Sequence, residues 1–313
     1  MDLLTRGAGF GYLGSTITSL IYASFTFIFF ALEAAVMAYA LELAFDIPPA
    51  WGYLLCALVV IPLVTHGVTV ISRLQVWTQP LWLVMLVLPY AVVLQKNPGL
   101  LNGLTAPTPA SRADRRLRPA GLRCAMTVGI ALITQMGEQA DYLRFMPSRA
   151  WTGAGRWRWW VGMLVGGPGW VVPGRAEDAG RRAAGLPGAG HMVPARTCGR
   201  PQPDVPGGLG AYVFPHYGWA VAATAVFVVV SQLKINVTNA YAGSLAWSNF
   251  FSRLTHSHPG RVVWVVFNTG IALVLMELNV FQALGHVLGL YSNIAIAWMM
   301  AVVADLVINK PLG

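Results

Sequence analysis

The chain of 313 residues is 56% hydrophobic and 11% charged, with a mean hydropathy of +0.58 and a formal net charge of +9. Soluble domains carry about 25% charged residues, so this composition excludes an ordinary water-soluble fold and points to an all-α membrane protein. Cys56, Cys124 and Cys198 lack C-x-x-C spacing, which leaves neither a disulfide framework nor a thiolate metal site. No GxSxG, HExxH or P-loop is present, and no GxGxxG stands between a strand and a helix, so no enzyme motif competes.

Apolar runs set against breakers predict about eight spanning helices, each near the roughly 20 residues a bilayer needs. The first runs from about Gly14 to Leu43 and places Glu33 deep in FTFIFFALEAAVMAYA. Phe29 lies four residues earlier and so on the same face, an aromatic plate one turn from a carboxylate. That pair can stack on a flat heterocycle and accept its N–H groups, or instead serve a helix–helix contact. The second and third spans are Trp51 to His66 and Val70 to Leu94, the latter with Pro80 and Pro89 inside it.

The fourth span, Cys124 to Phe145, contains LITQMGEQADYLRF, where Gln135, Gly137, Glu138, Gln139 and Asp141 crowd together. Non-helical backbone at membrane depth is tolerated where it lines a cavity or is packed in protein. Gly137 among amides and carboxylates is therefore read as the break of a discontinuous helix, the alternative being a plain helix end with Asp141 and Arg144 at the inner interface. The fifth span starts at Trp157 and falters near Pro173. Trp157, Trp159 and Trp160 beside Arg156 and Arg158 read as an interfacial aromatic belt.

The sixth span, about Gly218 to Phe251, holds Lys234, Asn236, Thr238 and Asn239. Lys234 is too deep to snorkel easily. Ser231, Lys234 and Thr238 share a face by the i, i+3, i+4 rule. Such an ammonium can replace a bound sodium ion, titrate, or pair with Glu33 or Glu138. The last two spans are Val262 to Leu278 and Val280 to Ile308.

Lys and Arg mark cytoplasmic loops. The start LTRG, the connection around Arg73, RFMPSRAWTGAGRWRWW and SRLTHSHPGR are basic, whereas ELAFDIPP and MELN are acidic, so both termini are expected to be cytoplasmic in the cell's inner membrane. His256 and His258 belong to that basic loop more readily than to a metal site. Two connections break the rule, residues 107–122 and 175–210, both rich in Arg, Gly, Pro and Ala without helical periodicity. They read either as outer loops or as out-of-frame translation; a one-base shift permits GVLKMLGGALLAY and DPLAFGA, each of which would complete a span. On the out-of-frame reading the charge of +9 is partly artefact and implies no affinity for nucleic acid.

With GSTITSLIY and FFALEAA in the first span, GEQADYLRF in the fourth and INVTNAYAGSLAWSN in the sixth, the chain resembles the nucleobase-cation symporter family, the purine, cytosine, hydantoin and allantoin permeases. The resemblance implies a single transporter domain over residues 1–313 with a five-plus-five inverted-repeat fold. In that register the first two helices, and with them half of the substrate and cation site, precede this chain. It implies substrate contacts at Phe29, Glu33 and Asn239 and a cation-coupling position at Lys234; with the polar residues of the fourth and sixth spans, the expected substrate site is Phe29, Glu33, Gln135, Gly137, Glu138 and Asn239, and the expected cation-coupling residues are Lys234 and Thr238. The customary stacking Trp of the fourth span is replaced by IALITQ. Because Lys234 stands where sodium-using members have a hydroxyl, proton coupling or cation independence is implied, with no cofactor. The expected function is thus secondary transport of a planar nitrogenous solute; the alternative is a solute-sensing input module fused to a cytoplasmic signalling domain such as a kinase.

Overall fold

The computed structural model describes residues 7–96, 134, 136–143, 145, 156–166, 213–214, 216–278 and 284–312. These residues are helical with short turns, and no strand occurs among them. In chain order the helices are α1 (Gly11–Phe45), α2 (Pro49–Thr65), α3 (Val68–Lys96), α4 (Met136–Leu143), α5 (Arg156–Gly166), α6 (Tyr217–Thr255), α7 (Arg261–Glu277) and α8 (Leu284–Ala304). A π-helical turn, Asp305–Asn309, and a last turn, Lys310–Leu312, follow α8. The segments 107–122 and 175–210 lie outside the described residues.

Among the described residues four helices are long and apolar enough to cross a membrane: α1, α3, α6 and α8 with its π turn. The 35 residues of α1 and 39 of α6 would measure about 52 and 58 Å at 1.5 Å per residue. Both exceed the roughly 30 Å hydrocarbon core, so they must tilt or project into the interface. The expected second and seventh spans appear as helices of 17 residues each, about 25 Å long. Of the fourth and fifth, the described parts are eight and eleven residues. The all-helical membrane bundle is therefore observed, whereas the inverted-repeat arrangement is a finer expectation.

Helix α1 is the centre of the bundle, packing on α6 over its whole length and also on α2, α7 and α8. Its buried residues Ser19, Tyr22, Thr26, Phe29, Val36 and Ala40, with the half-buried Glu33 between them, alternate at spacings of three and four. That spacing draws one straight stripe along a helix, the pattern of a coiled-coil seam. Three contacts fix an antiparallel register with α6. The Asn249 amide donates to Ser19 Oγ at 2.5 Å, Thr26 abuts Gly243, and Val36 and Ala40 pack with Val228.

Lipid offers no hydrophobic drive between apolar helices, so close approach through small residues must supply the packing. Gly243 provides it here, since a Cβ would lie 2.5 Å from Thr26 Oγ1 and 2.6 Å from Asn268 Oδ1. Asn268 of α7 ties the three helices together, accepting from Thr26 Oγ1 at 3.2 Å and from the Trp247 indole at 2.9 Å. Gly52 does the same for α2 on α1, where a Cβ would meet the Ala38 Cβ at 2.7 Å.

One core cluster joins Tyr22, Phe25 and Phe29 of α1 to Trp247, Trp264, Leu288, Tyr291 and Trp298. The other joins Phe30, Ala34 and Met37 to Tyr53, Val60, Val237, Tyr241, Val265 and Ala272. Outside them α3 turns Val76, Trp77, Leu81, Val84 and Val87 outward, the surface a bilayer accepts. Pro80 and Pro89 stand inside α3, and neither has an N–H for the carbonyl four residues before it.

The ends of the helices sort into two sides. The turn before α1 meets the π turn, a Cβ on Gly9 falling 2.8 Å from Asp305 Cβ. Arg253 donates to the Tyr12 carbonyl at 2.9 Å, and Arg261 to the Thr65 carbonyl at 3.3 Å. Residues 7–10, 66–67, 256–260 and 305–312 thus share one side, together with Arg253, Arg261, His66, His256, His258 and Lys310. Glu42, Asp46 and Glu277 mark the other.

Candidate functional site

The register of α1 on α6 sets Asn239 at the level of Phe29 and Asn236 at the level of Glu33. Both asparagines are buried, at 0% and 2% exposure for Asn236 and Asn239. Gln232, Asn236, Asn239 and Gly243 follow one another at spacings of four, three and four, which puts them on the α6 stripe that includes the Gly243 contact with α1. Both amide atoms of Asn236, the amide nitrogen of Asn239 and the amide oxygen of Gln232 have no hydrogen-bond partner among the described residues. The half-buried Glu33 carboxylate likewise makes no hydrogen bond or ion pair there.

Leaving a buried polar group unmatched costs about 1–3 kcal/mol, so native interiors contain few of them. Among the described residues such atoms also occur on α7, at Trp264 Nε1, Asn268 Nδ2 and Thr269 Oγ1, but Gln232, Asn236 and Asn239 set four of them on one stripe about halfway along α6. Phe29 lies against Phe25 with ring centroids 4.5 Å apart and gives the seam an apolar wall. A carboxylate, two primary amides and an aromatic wall can together hold a flat solute edge-on: the carboxylate accepts its N–H groups and the amides match adjacent donor and acceptor atoms.

Lys234 faces elsewhere. It is 9% exposed, and its ammonium donates to Gln79 Oε1 of α3 at 2.5 Å. Its backbone carbonyl accepts from Gln75 Nε2 at 2.9 Å, and the Trp82 ring centroid lies 5.6 Å from Nζ. Trp82 in turn donates to Ser231 Oγ at 2.9 Å. Thr238 caps back onto the Ile235 carbonyl at 2.6 Å, while its own carbonyl accepts from the Tyr142 hydroxyl of α4 at 3.4 Å. The stripe of Ser231, Lys234 and Thr238 is therefore turned to α3 and α4, roughly opposite the Asn236 stripe at 100° per residue. No carboxylate among the described residues pairs with Lys234, neither Glu33 nor Glu138.

In α4, Gly137 lies in the first turn with its N–H on the Thr134 carbonyl at 2.9 Å, so a helix begins at Met136. Glu138 and Asp141 are buried at 4% and 3% exposure. Gln135 lies outside the described residues. The structure thus brings Phe29, Glu33 and Asn239 to one seam, sets Lys234 and Thr238 on another face, and sets Gly137 and Glu138 on a helix that reaches α6 through Tyr142. It adds Asn236, Gln232, Gln75, Gln79 and Trp82. Their signal was present in the sequence as i, i+3 and i+4 polar stripes on α6 and α3.

No family model, curated protein or solved structure matches the chain. The resemblance to the nucleobase-cation symporters accordingly rests on the quoted motifs alone.

Proposed function

We propose that the chain is a membrane transporter of a small planar nitrogenous solute, a nucleobase or a related cyclic amide or ureide, bound at the α1–α6 seam. The observation that supports this most is the gathering of unmatched amide atoms of Asn236 and Asn239 beside Glu33 and Phe29 at mid-helix depth. In lipid such groups find no water to satisfy them, so a solute with matching donors and acceptors is their natural partner. The side that gathers Arg253, Arg261 and Lys310 is cytoplasmic on this reading, because basic residues are retained there.

The test is uptake of labelled purines, cytosine, hydantoin and allantoin into proteoliposomes, with Glu33→Gln and Asn236→Leu beside the unaltered protein. At least one solute should be taken up, and each substitution should cut its uptake by roughly tenfold or more, the worth of one hydrogen bond to a charged or buried group. Uptake that both variants leave unchanged would remove the seam as the site.

A further inference from the structure

Among the described residues the cluster between α3 and α6 has donors in excess and no countercharge. The Lys234 ammonium presents three N–H donors and gives one to Gln79 Oε1. Ser231 Oγ is occupied as an acceptor by the Trp82 indole, and its own proton goes to no acceptor among the described residues. The amide nitrogen of Gln79 is equally unengaged there, while the Gln75 amide is turned to the Lys234 carbonyl. The Trp82 ring at 5.6 Å offers the ammonium only a quadrupole. A cation would find the Gln79 oxygen already taken by an ammonium; Lys234, Ser231 and Gln79, linked through Trp82, leave donors to an anion.

Depth narrows the anion. Lys234 stands 17 residues into the 39 of α6, about 26 Å from its start and about 32 Å from its end at 1.5 Å per residue. Lipid headgroups do not reach that level, and a lone ammonium costs about 2.5–3.5 kcal/mol at the centre of a spanning helix. We propose that Lys234, Ser231 and Gln79 form a binding site for a small monovalent anion of halide or formate size, on the opposite face of α6 from the solute seam. The bound ion neutralises the lysine and adds to the direct polar ties between α3 and α6, Gln75 to the Lys234 carbonyl, Trp82 to Ser231 and Lys234 to Gln79, which lie on the same face.

The site is tested on the purified full chain with no solute present. Thermal melting is followed in sodium chloride, bromide or formate, each titrated against sodium gluconate, a much larger anion, at constant ionic strength. The expected result is a saturable rise in Tm for the unaltered protein and for Lys234→Arg, and its loss in Lys234→Gln. Ser231→Ala should raise the half-saturating concentration by roughly tenfold, one charge-assisted hydrogen bond. General salt effects act on all variants alike, so a Lys234→Gln response equal to that of the unaltered protein, or no saturable response in the latter, overturns the site. Should Lys234→Gln fail to fold, equilibrium dialysis of radiolabelled chloride against the unaltered protein decides: one ion per chain supports the site and none overturns it. Transport plays no part in these readouts, so they fail or succeed independently of the solute seam.

Discussion

Asn236 separates function from stability more sharply than any other residue of the seam. Its amide is fully buried with neither atom matched among the described residues, so an apolar side chain of similar size removes a desolvation cost without removing a contact. Asn236→Leu should therefore raise the Tm of the solute-free protein, by the equivalent of about 1 kcal/mol, while depressing uptake; lower Tm with normal uptake would mark a structural asparagine. Gly243 gives the reverse pattern. A methyl group there meets Thr26 Oγ1, Asn268 Oδ1 and Asn268 Cγ at 2.5 to 2.7 Å, and overpacking of this kind costs about 1–3 kcal/mol. Gly243→Ala should lower Tm in detergent, whereas Gly270→Ala, which has open space around it, should not. Phe29, Glu33 and Lys234 stand out in the sequence because a charge, or an aromatic one turn from it, is conspicuous in an apolar run; Asn239 is assigned by the resemblance alone. Asn236 shows in the sequence as a polar residue of the sixth span but not as part of the site, and Gln232 does not stand out there. A neutral amide is common in membrane helices, and only the partner's register shows that these two face the same helix as Glu33.

At the scale of elements, helix lengths and limits follow from hydropathy and breakers, and α1, α3 and α6 begin and end within about four residues of their sequence-based bounds. What joins them does not follow. The α1–α6 pair brings Ser19 to Asn249 across 230 positions, and neither helix announces its mate except through small residues and a spacing of three and four that any helix could match. The short α2 illustrates the point. It reaches α1 through Gly52 against Ala38, and Gly52→Leu should separate the pair, which a disulfide cross-linking assay between cysteines placed at Ala38 and Tyr53 would detect as lost bridging. Cys56, which approaches the Ala34 carbonyl at 3.7 Å, should become accessible to maleimide in the same variant. In the unaltered protein it is 1% exposed and should resist labelling until the helices part.

For the molecule as a whole, the two-sided distribution of charge makes a topological statement that can be read from outside a cell. In a cysteine-free background, Ser257→Cys should react with an impermeant maleimide only after permeabilisation, and Asp46→Cys before it; the opposite pattern would invert the orientation. The charge pattern of the loops sets this expectation from composition alone, whereas the packing of α1 at the centre needed coordinates. The prolines of α3 have a further effect. Pro80 cannot cover the Val76 carbonyl, and it follows Gln79, the residue that holds the lysine. A bare carbonyl draws water even where the surroundings are oily, so the middle of this helix should breathe. Deuterium should enter the backbone of residues 74–84 well ahead of residues 19–37 of α1, leaving the lysine beside a damp strip rather than a dry wall.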